Sequence, residues 1–317
     1  MKRTSILIAI ALLIGSTLNA SDRFKPTKTL KFATRDSIDL YLDIYEPAGS
    51  TTLNGKNKPT ILFVFGGGFI TGTRNDRSHD WWFKHLVNNG YRVVANDYRL
   101  GLKGMKKMGV AQAKYLGIAV DMAVEDLFSA TAYLCENAEE LGIDPSNIVV
   151  SGSSAGAITS LQAEWYICNS HPLCSILPEG FNYSGLMSFA GAIYSDKGGI
   201  RYKKEPCPML LFHGKDDRIV NYNQIWFFNL RFAGSNVISR TLKREERNYQ
   251  IFRFDGYGHE IAGVMNREFL KEIDFLQNNV MQKKKIVIDA SVKDDGIVHY
   301  KDFSKLSDLY GNPENHK

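Results

Sequence analysis

Residues 148–157 read Ile-Val-Val-Ser-Gly-Ser-Ser-Ala-Gly-Ala, and no other stretch restricts the fold as much. A β-branched apolar run ends in Gly-x-Ser-x-Gly, with Gly152 and Gly156 on either side of Ser154, and a helix-compatible stretch follows. This pattern predicts a strand turned sharply into a helix with one serine held at the tip. The glycines are needed because such a turn brings the two backbones too close for side chains. The first N–H groups of the helix lack acceptors within it and stand at the positive end of its dipole, which suits an anionic oxygen. Taken alone, the five residues also fit an ordinary Gly/Ser-rich turn.

The surrounding chain narrows the choice. Ile38, Leu40, Leu42 and Ile44 alternate with Asp39, Tyr41 and Asp43, which predicts half-buried antiparallel strands within residues 28–45. Residues 60–65 and 91–97 are nearly continuous apolar runs, as expected of strands covered on both faces. Helices are predicted over 79–88, from the three- and four-residue steps between Val120 and Leu134, and near 221–232 and 266–282. Further strand-like runs lie at 186–193, 209–212 and 250–254. Buried strands alternating with helices predict an α/β fold: a mostly parallel, doubly wound sheet with antiparallel N-terminal strands and helices on both faces. Residues 101–118 show no firm period and read as an excursion near the top of the sheet; together with 160–185 they are expected to wall the cleft.

Three regions are expected in the 317 residues. Lys2 and Arg3 precede an apolar run from Ile6 to Ile14 and a small-residue stretch to Ala20, the pattern of an export signal cleaved after Ala20. An uncleaved anchor is the alternative reading, although the run is about half the ~20 residues a spanning helix needs. Residues 21–285 form the main domain, and 286–317 a polar C-terminal extension in which only Ile286-Val287-Ile288 suggests an edge strand. The formal charge of +5 is small and dispersed, which argues against a nucleic-acid partner. Four cysteines are present. In an exported chain the short spacing singles out Cys168–Cys174 as a bridge, leaving Cys135 and Cys207 as a second bridge or as buried thiols. No dinucleotide fingerprint, phosphate loop or metal-ligand cluster is present, so no cofactor and no metal are implied.

In a parallel sheet the reactive groups gather where the strands end. Gly66-Gly67-Gly68 follows the strand ending at Phe65, and Ser154 follows the one ending at Val150. His213-Gly214-Lys215-Asp216-Asp217 closes a third strand, and Asp255-Gly256-Tyr257-Gly258-His259-Glu260 a fourth. The order Ser, Asp, His is the one expected of an α/β-hydrolase. With Leu42-Asp43-Ile44-Tyr45-Glu46-Pro47, Gly66-Gly67-Gly68-Phe69 and Asp97-Tyr98-Arg99-Leu100, these landmarks make the chain resemble α/β-hydrolase esterases of the carboxylesterase, lipase and feruloyl/acetyl-esterase-like group over roughly residues 28–283.

The resemblance implies a serine hydrolase with Ser154 as nucleophile, Asp217 as acid, His259 as base, and backbone N–H groups of Gly67, Gly68 and Ala155 as the oxyanion hole. It implies a small-molecule or glycan-linked ester as substrate, such as an acetyl or feruloyl ester. A serine peptidase of the same fold, or a binding module on a hydrolase scaffold, are the alternatives. Many relatives place a histidine before the three glycines, where this chain has Phe65. Among neighbouring residues, Ser153, Asp216 and Asp255 are expected to be non-reactive, His213 to support the acid loop, and Arg99 to form a structural ion pair. Trp81, Trp82, Met105, Met108 and Glu260 are open between the cleft and ordinary packing or solvation.

Overall fold

The computed structural model describes residues 23–105, 113–196, 198–227 and 230–298. The proposed signal therefore lies outside the described residues. Strands β1 (Lys28–Arg35) and β2 (Ile38–Tyr45) form the predicted antiparallel pair. A two-residue pair, β3 (Thr52–Leu53) and β4 (Lys56–Asn57), leads into β5 (Thr60–Val64). Next come α1 (Asp80–Asn88), β6 (Arg92–Asn96), α2 (Ala113–Glu136) and the short α3 (Ala138–Leu141). Strand β7 (Ile148–Ser153) turns directly into α4 (Ala155–Asn169), followed by β8 (Gly185–Phe189), β9 (Ala192–Ser195) and β10 (Met209–Gly214). The chain continues through β11 (Gln224–Phe227), β12 (Leu230–Gly234), α5 (Ser235–Arg244), β13 (Tyr249–Phe254), α6 (Phe269–Phe275) and β14 (Ile288–Val292).

Nine strands make one sheet in the order β1-β2-β6-β5-β7-β8-β10-β13-β14. Every pairing from β6 to β14 is parallel, and the two pairings made by β2 are antiparallel. Successive side chains on a strand point to opposite faces, so both faces must be covered. On one face Phe63 meets Trp82 and Phe83 of α1, and Phe189, Phe212 and Phe252 stack across β8, β10 and β13. Trp82 reaches the end of that row at Phe189 and donates through its indole N–H to Glu272 of α6, at 2.6 Å. On the other face Ser188 sits close to Ala157 and Leu161 of α4 around Gly191, and α2 packs on α4.

Several sequence expectations change. The helix expected near 221–232 is a hairpin of β11 and β12, which pairs through β12 with β9 in a separate three-stranded antiparallel sheet. The run Ile225-Trp226-Phe227 is β-branched and aromatic, a composition that favours strands. The strand-like stretch 186–193 is two strands in two sheets, broken at Ala190, which has φ +57°. Asp43, expected on the outer face of β2, is buried; Arg74 reaches it at 3.0 Å and also pairs with Asp97 at 2.6 Å.

The cysteines are free thiols, so the expected Cys168–Cys174 bridge is absent. The Cys168 thiol is turned toward Glu164 one helical turn back on α4, at 3.3 Å, while Cys174 lies in the separate turn Pro172–Ile176. Glu164 is fully buried and also accepts from the Cys207 N–H at 2.8 Å; burial pushes its carboxyl up despite these donors.

Candidate active site

The elbow is built from its glycines. A Cβ on Gly152 would lie 2.3 Å from the Gly156 carbonyl carbon, and one on Gly156 would lie 1.9 Å from the Val64 oxygen. Strand β7, helix α4 and strand β5 therefore meet at a distance only hydrogen allows. Ser154 itself has φ +52° and ψ −116°, a backbone state that costs a non-glycine residue roughly 1–3 kcal/mol. Its N–H is anchored to the Phe189 oxygen at 2.9 Å, and its oxygen accepts from Ile158 N, also at 2.9 Å.

Three sequence-predicted side chains meet at this tip. The Ser154 hydroxyl lies 2.8 Å from His259 Nε2, and His259 Nδ1 lies 2.8 Å from Asp217 Oδ2. With a carboxylate on Nδ1, the imidazole carries its proton there and leaves Nε2 to accept from serine. Asp217 is held on both oxygens: Oδ1 accepts the N–H groups of Ile219 and Val220 at 2.9 and 3.0 Å, and His213 Nε2 stands 3.4 Å from Oδ2. Burial acts to raise the Asp217 carboxyl, but hydrogen bonds from His213 and His259 outweigh it and hold the group well below the usual carboxylate range. These donors favour the ionised form of Asp217.

The neighbouring candidates take supporting places. His213 is fully buried, with Nδ1 at 2.7 Å from Ser235 Oγ and Nε2 at 2.8 Å from the Val220 oxygen, so it braces the Asp217 loop. Ser153 donates to the Ala262 oxygen at 2.8 Å and ties the elbow to the His259 loop. Asp216 is exposed, and Asp255 pairs with Lys215. Arg99 is committed to Asp36, Glu125 and Asp126, as an ion-pair role requires.

The glycine loop lies alongside. Gly66 touches Ser154, since a Cβ on it would lie 3.4 Å from the serine Cβ. Gly67 and Gly68 follow with φ +120° and +63°, and a Cβ on Gly67 would strike the Thr71 oxygen at 1.9 Å. Ala155 is the first residue of α4, so its N–H has no acceptor inside the helix. Phe65, just before the three glycines, stacks on Tyr98 with ring centres 4.3 Å apart. The Tyr98 hydroxyl donates back to the Phe65 oxygen at 3.1 Å, which pins the strand end from which the glycines depart.

A cleft of about 790 Å³ opens onto Ser154. Among the described residues its walls are Gly66, Gly67, Ser78, His79, Trp82, His259, Glu260, residues 262–267 and residues 296–298. The described parts of the expected segments 101–118 and 160–185 do not line it, and residues 106–112 lie outside the described residues. Trp82 and Glu260 belong to it; Trp81 points to solvent, and Met105 packs half-buried against the core. Met108 lies outside the described residues. No sequence signal marked residues 296–298 as cleft wall.

Comparison with solved structures finds the same architecture in a thermophilic esterase of Thermogutta terrifontis with propionate bound. The TM-score is 0.55 at 21% identity, over 78% of this chain and 94% of that one. The chain has the α/β-hydrolase fold. Residues 42–165 match the BD-FAE family model. Over 146 residues the chain is 32% identical to lipase 2 of Moraxella sp. (strain TA144), and over 122 residues 34% identical to carboxylesterase 5A of Canis lupus familiaris. These matches cover 45% and 38% of this chain but only 29% and 19% of the relatives, so the chain spans less than a third of the length of the curated relatives it matches. Among the described residues no helix is long and apolar enough to cross a membrane.

Proposed function

We propose that this hydrolase cleaves carboxylic esters through an acyl-enzyme on Ser154. The observation that carries the reading is the unbroken relay from the Ser154 hydroxyl to His259 Nε2 and from His259 Nδ1 to Asp217, each step 2.8 Å. As the serine oxygen attacks the ester carbonyl, His259 takes its proton and the carbonyl π electrons move onto oxygen. Asp217 stays ionised, orients the ring and stabilises its cationic form. The N–H groups of Gly67, Gly68 and Ala155 receive the oxyanion, and losing one such donor costs about 10²–10³ in rate. Collapse expels the alcohol, which takes the proton from His259. Water, deprotonated by the same imidazole, then attacks the acyl-serine and releases the carboxylic acid.

The substrate class belongs to the same proposal: a small-molecule or glycan-linked ester, with acetyl and feruloyl groups as the first to try. Export through a leader cleaved after Ala20 belongs to it as well, and N-terminal sequencing of the mature chain should begin at Ser21. Mixing the enzyme with p-nitrophenyl acetate should release a burst of nitrophenol that Ser154→Ala abolishes. Equal turnover by the variant would refute the reading.

A further inference from the structure

The chain beyond Lys285 shows no chemistry in its sequence, yet part of it lines the same cleft as Ser154. Strand β14 pairs parallel with β13 as far as Phe254 and Val292, and the Asp255 N–H donates to the Val292 oxygen at 2.9 Å. This brings the end of β14 beside the loop that carries His259. Gly296, Ile297 and Val298 then form one side of the cleft, with Trp82, Val264 and Met265 among the other apolar residues that line it.

Two fasteners hold this segment, and both come from residues flanking His259. Arg267 grips the Asp294 carboxylate through Nε and Nη2, and its Nη1 donates to the Gly296 oxygen at 3.2 Å. The Tyr257 hydroxyl donates to the Asp294 oxygen and lies 3.5 Å from the Ile297 oxygen. The segment is also turned on itself, with Gly296 N–H donating to Asp294 Oδ1 at 3.0 Å. A Cβ at position 296 would lie 2.2 Å from Arg267 Nη2, so glycine lets the guanidinium lie flat against the backbone. A merely trailing tail needs none of this. Val298 is 71% exposed and Ile297 only part-buried, so apolar side chains stand open to solvent at the cleft rim where a bound group would cover them.

The geometry points to residues 293–298 as a clamped wall that selects among ester substrates. Ile297 and Val298 bound the apolar part of the ester, and the Arg267–Asp294 pair fixes how far they stand from Trp82 and Met265. The substrates it selects are esters with a short alkyl or similarly compact apolar group, and a longer group requires the wall to yield. The inference rests on the ester-hydrolase reading, and its test separates the two.

The test measures kcat/KM for p-nitrophenyl acetate, butyrate and octanoate with the wild type, Ile297→Ala and Asp294→Asn. Both variants should raise the octanoate-to-acetate ratio by about tenfold, the scale on which apolar pockets discriminate chain length. Added salt should move the wild-type ratio the same way, because the clamp is exposed and screened. General loss of fold lowers all three substrates together and leaves the ratio alone. Unchanged ratios in both variants, with the wild type active and the variants' urea midpoints retained, overturn the wall. Displacement of anilinonaphthalene sulfonate by alcohols from ethanol to octanol ranks chain-length preference without turnover. If no ester is hydrolysed but Ile297→Ala still shifts that ranking toward longer alcohols, the ester-hydrolase reading fails and the wall stands. A ranking unmoved in both variants overturns the wall.

Discussion

Replacing Asp217 by asparagine changes one atom, and the surrounding donors dictate the consequence. Oδ1 already accepts two backbone N–H groups, from Ile219 and Val220, so the asparagine oxygen must stay there; an amide nitrogen would face two donors. The new NH2 then replaces Oδ2, 2.8 Å from His259 Nδ1. Two donors cannot share that gap, so the imidazole proton moves to Nε2 and Nδ1 becomes the acceptor. A protonated Nε2 cannot take the Ser154 proton. The same change in a Ser-His-Asp enzyme costs about 10⁴ in kcat, or about 5.4 kcal/mol at 1.36 kcal/mol per decade. KM should move little, since Asp217 does not line the cleft. Loss of charge-assisted hydrogen bonds should lower stability by about 1–3 kcal/mol, read from urea unfolding. The exposed neighbour serves as control: Asp216→Asn should leave kcat essentially as it is. A folded Asp217→Asn enzyme within about tenfold of wild-type kcat would refute the tautomer argument.

Gly156→Ala puts a methyl group 1.9 Å from the Val64 oxygen, and because backbone cannot swing aside as a side chain does, it should cost about 3 kcal/mol or more in urea unfolding. Tyr98→Phe removes the hydroxyl that pins the Phe65 carbonyl; stopped-flow acylation should slow more than KM rises, because the strand end that places the glycine loop beside Ser154 is loosened. Glu272 is fully buried, and burial raises its carboxyl well above the ordinary 4.5 despite the Trp82 N–H on Oε2. Its folded pKa exceeds its unfolded one, so its contribution is present below the ordinary carboxylate range and is lost as pH rises toward the folded value. Glu272→Gln keeps an acceptor for Trp82, so the urea midpoint should fall less between pH 5 and 8 in the variant than in the wild type.

What the sequence discloses here is local. The apolar run before Gly152 and the two glycines fix the elbow within ten residues, and the strand-end positions of Asp217 and His259 follow from counting buried runs. His213 ending a strand beside a glycine already marks a brace. The hairpin at 224–234 misleads because Asn221, Ile225 and Phe228 also satisfy a helical step, and nothing nearby shows that β9 waits to pair with it. Glu164 and Glu272 look like the polar sides of helices; their burial comes from partners 43 and 190 residues away, Cys207 and Trp82. Residues 296–298 escape for the same reason. Their role depends on Arg267 and Tyr257, which come close only once β14 has joined β13. The spacing argument for Cys168–Cys174 fails because a helix aims Cys168 at its own preceding turn.

The central claim is that Ser154 is the nucleophile, and covalent labelling tests it most directly. The folded protein is treated with a fluorophosphonate, digested and mapped by mass spectrometry. One adduct is expected, on Ser154, absent in Ser154→Ala and formed far more slowly in Asp217→Asn. An adduct on Ser153, or an unlabelled protein that still hydrolyses esters, would contradict the account.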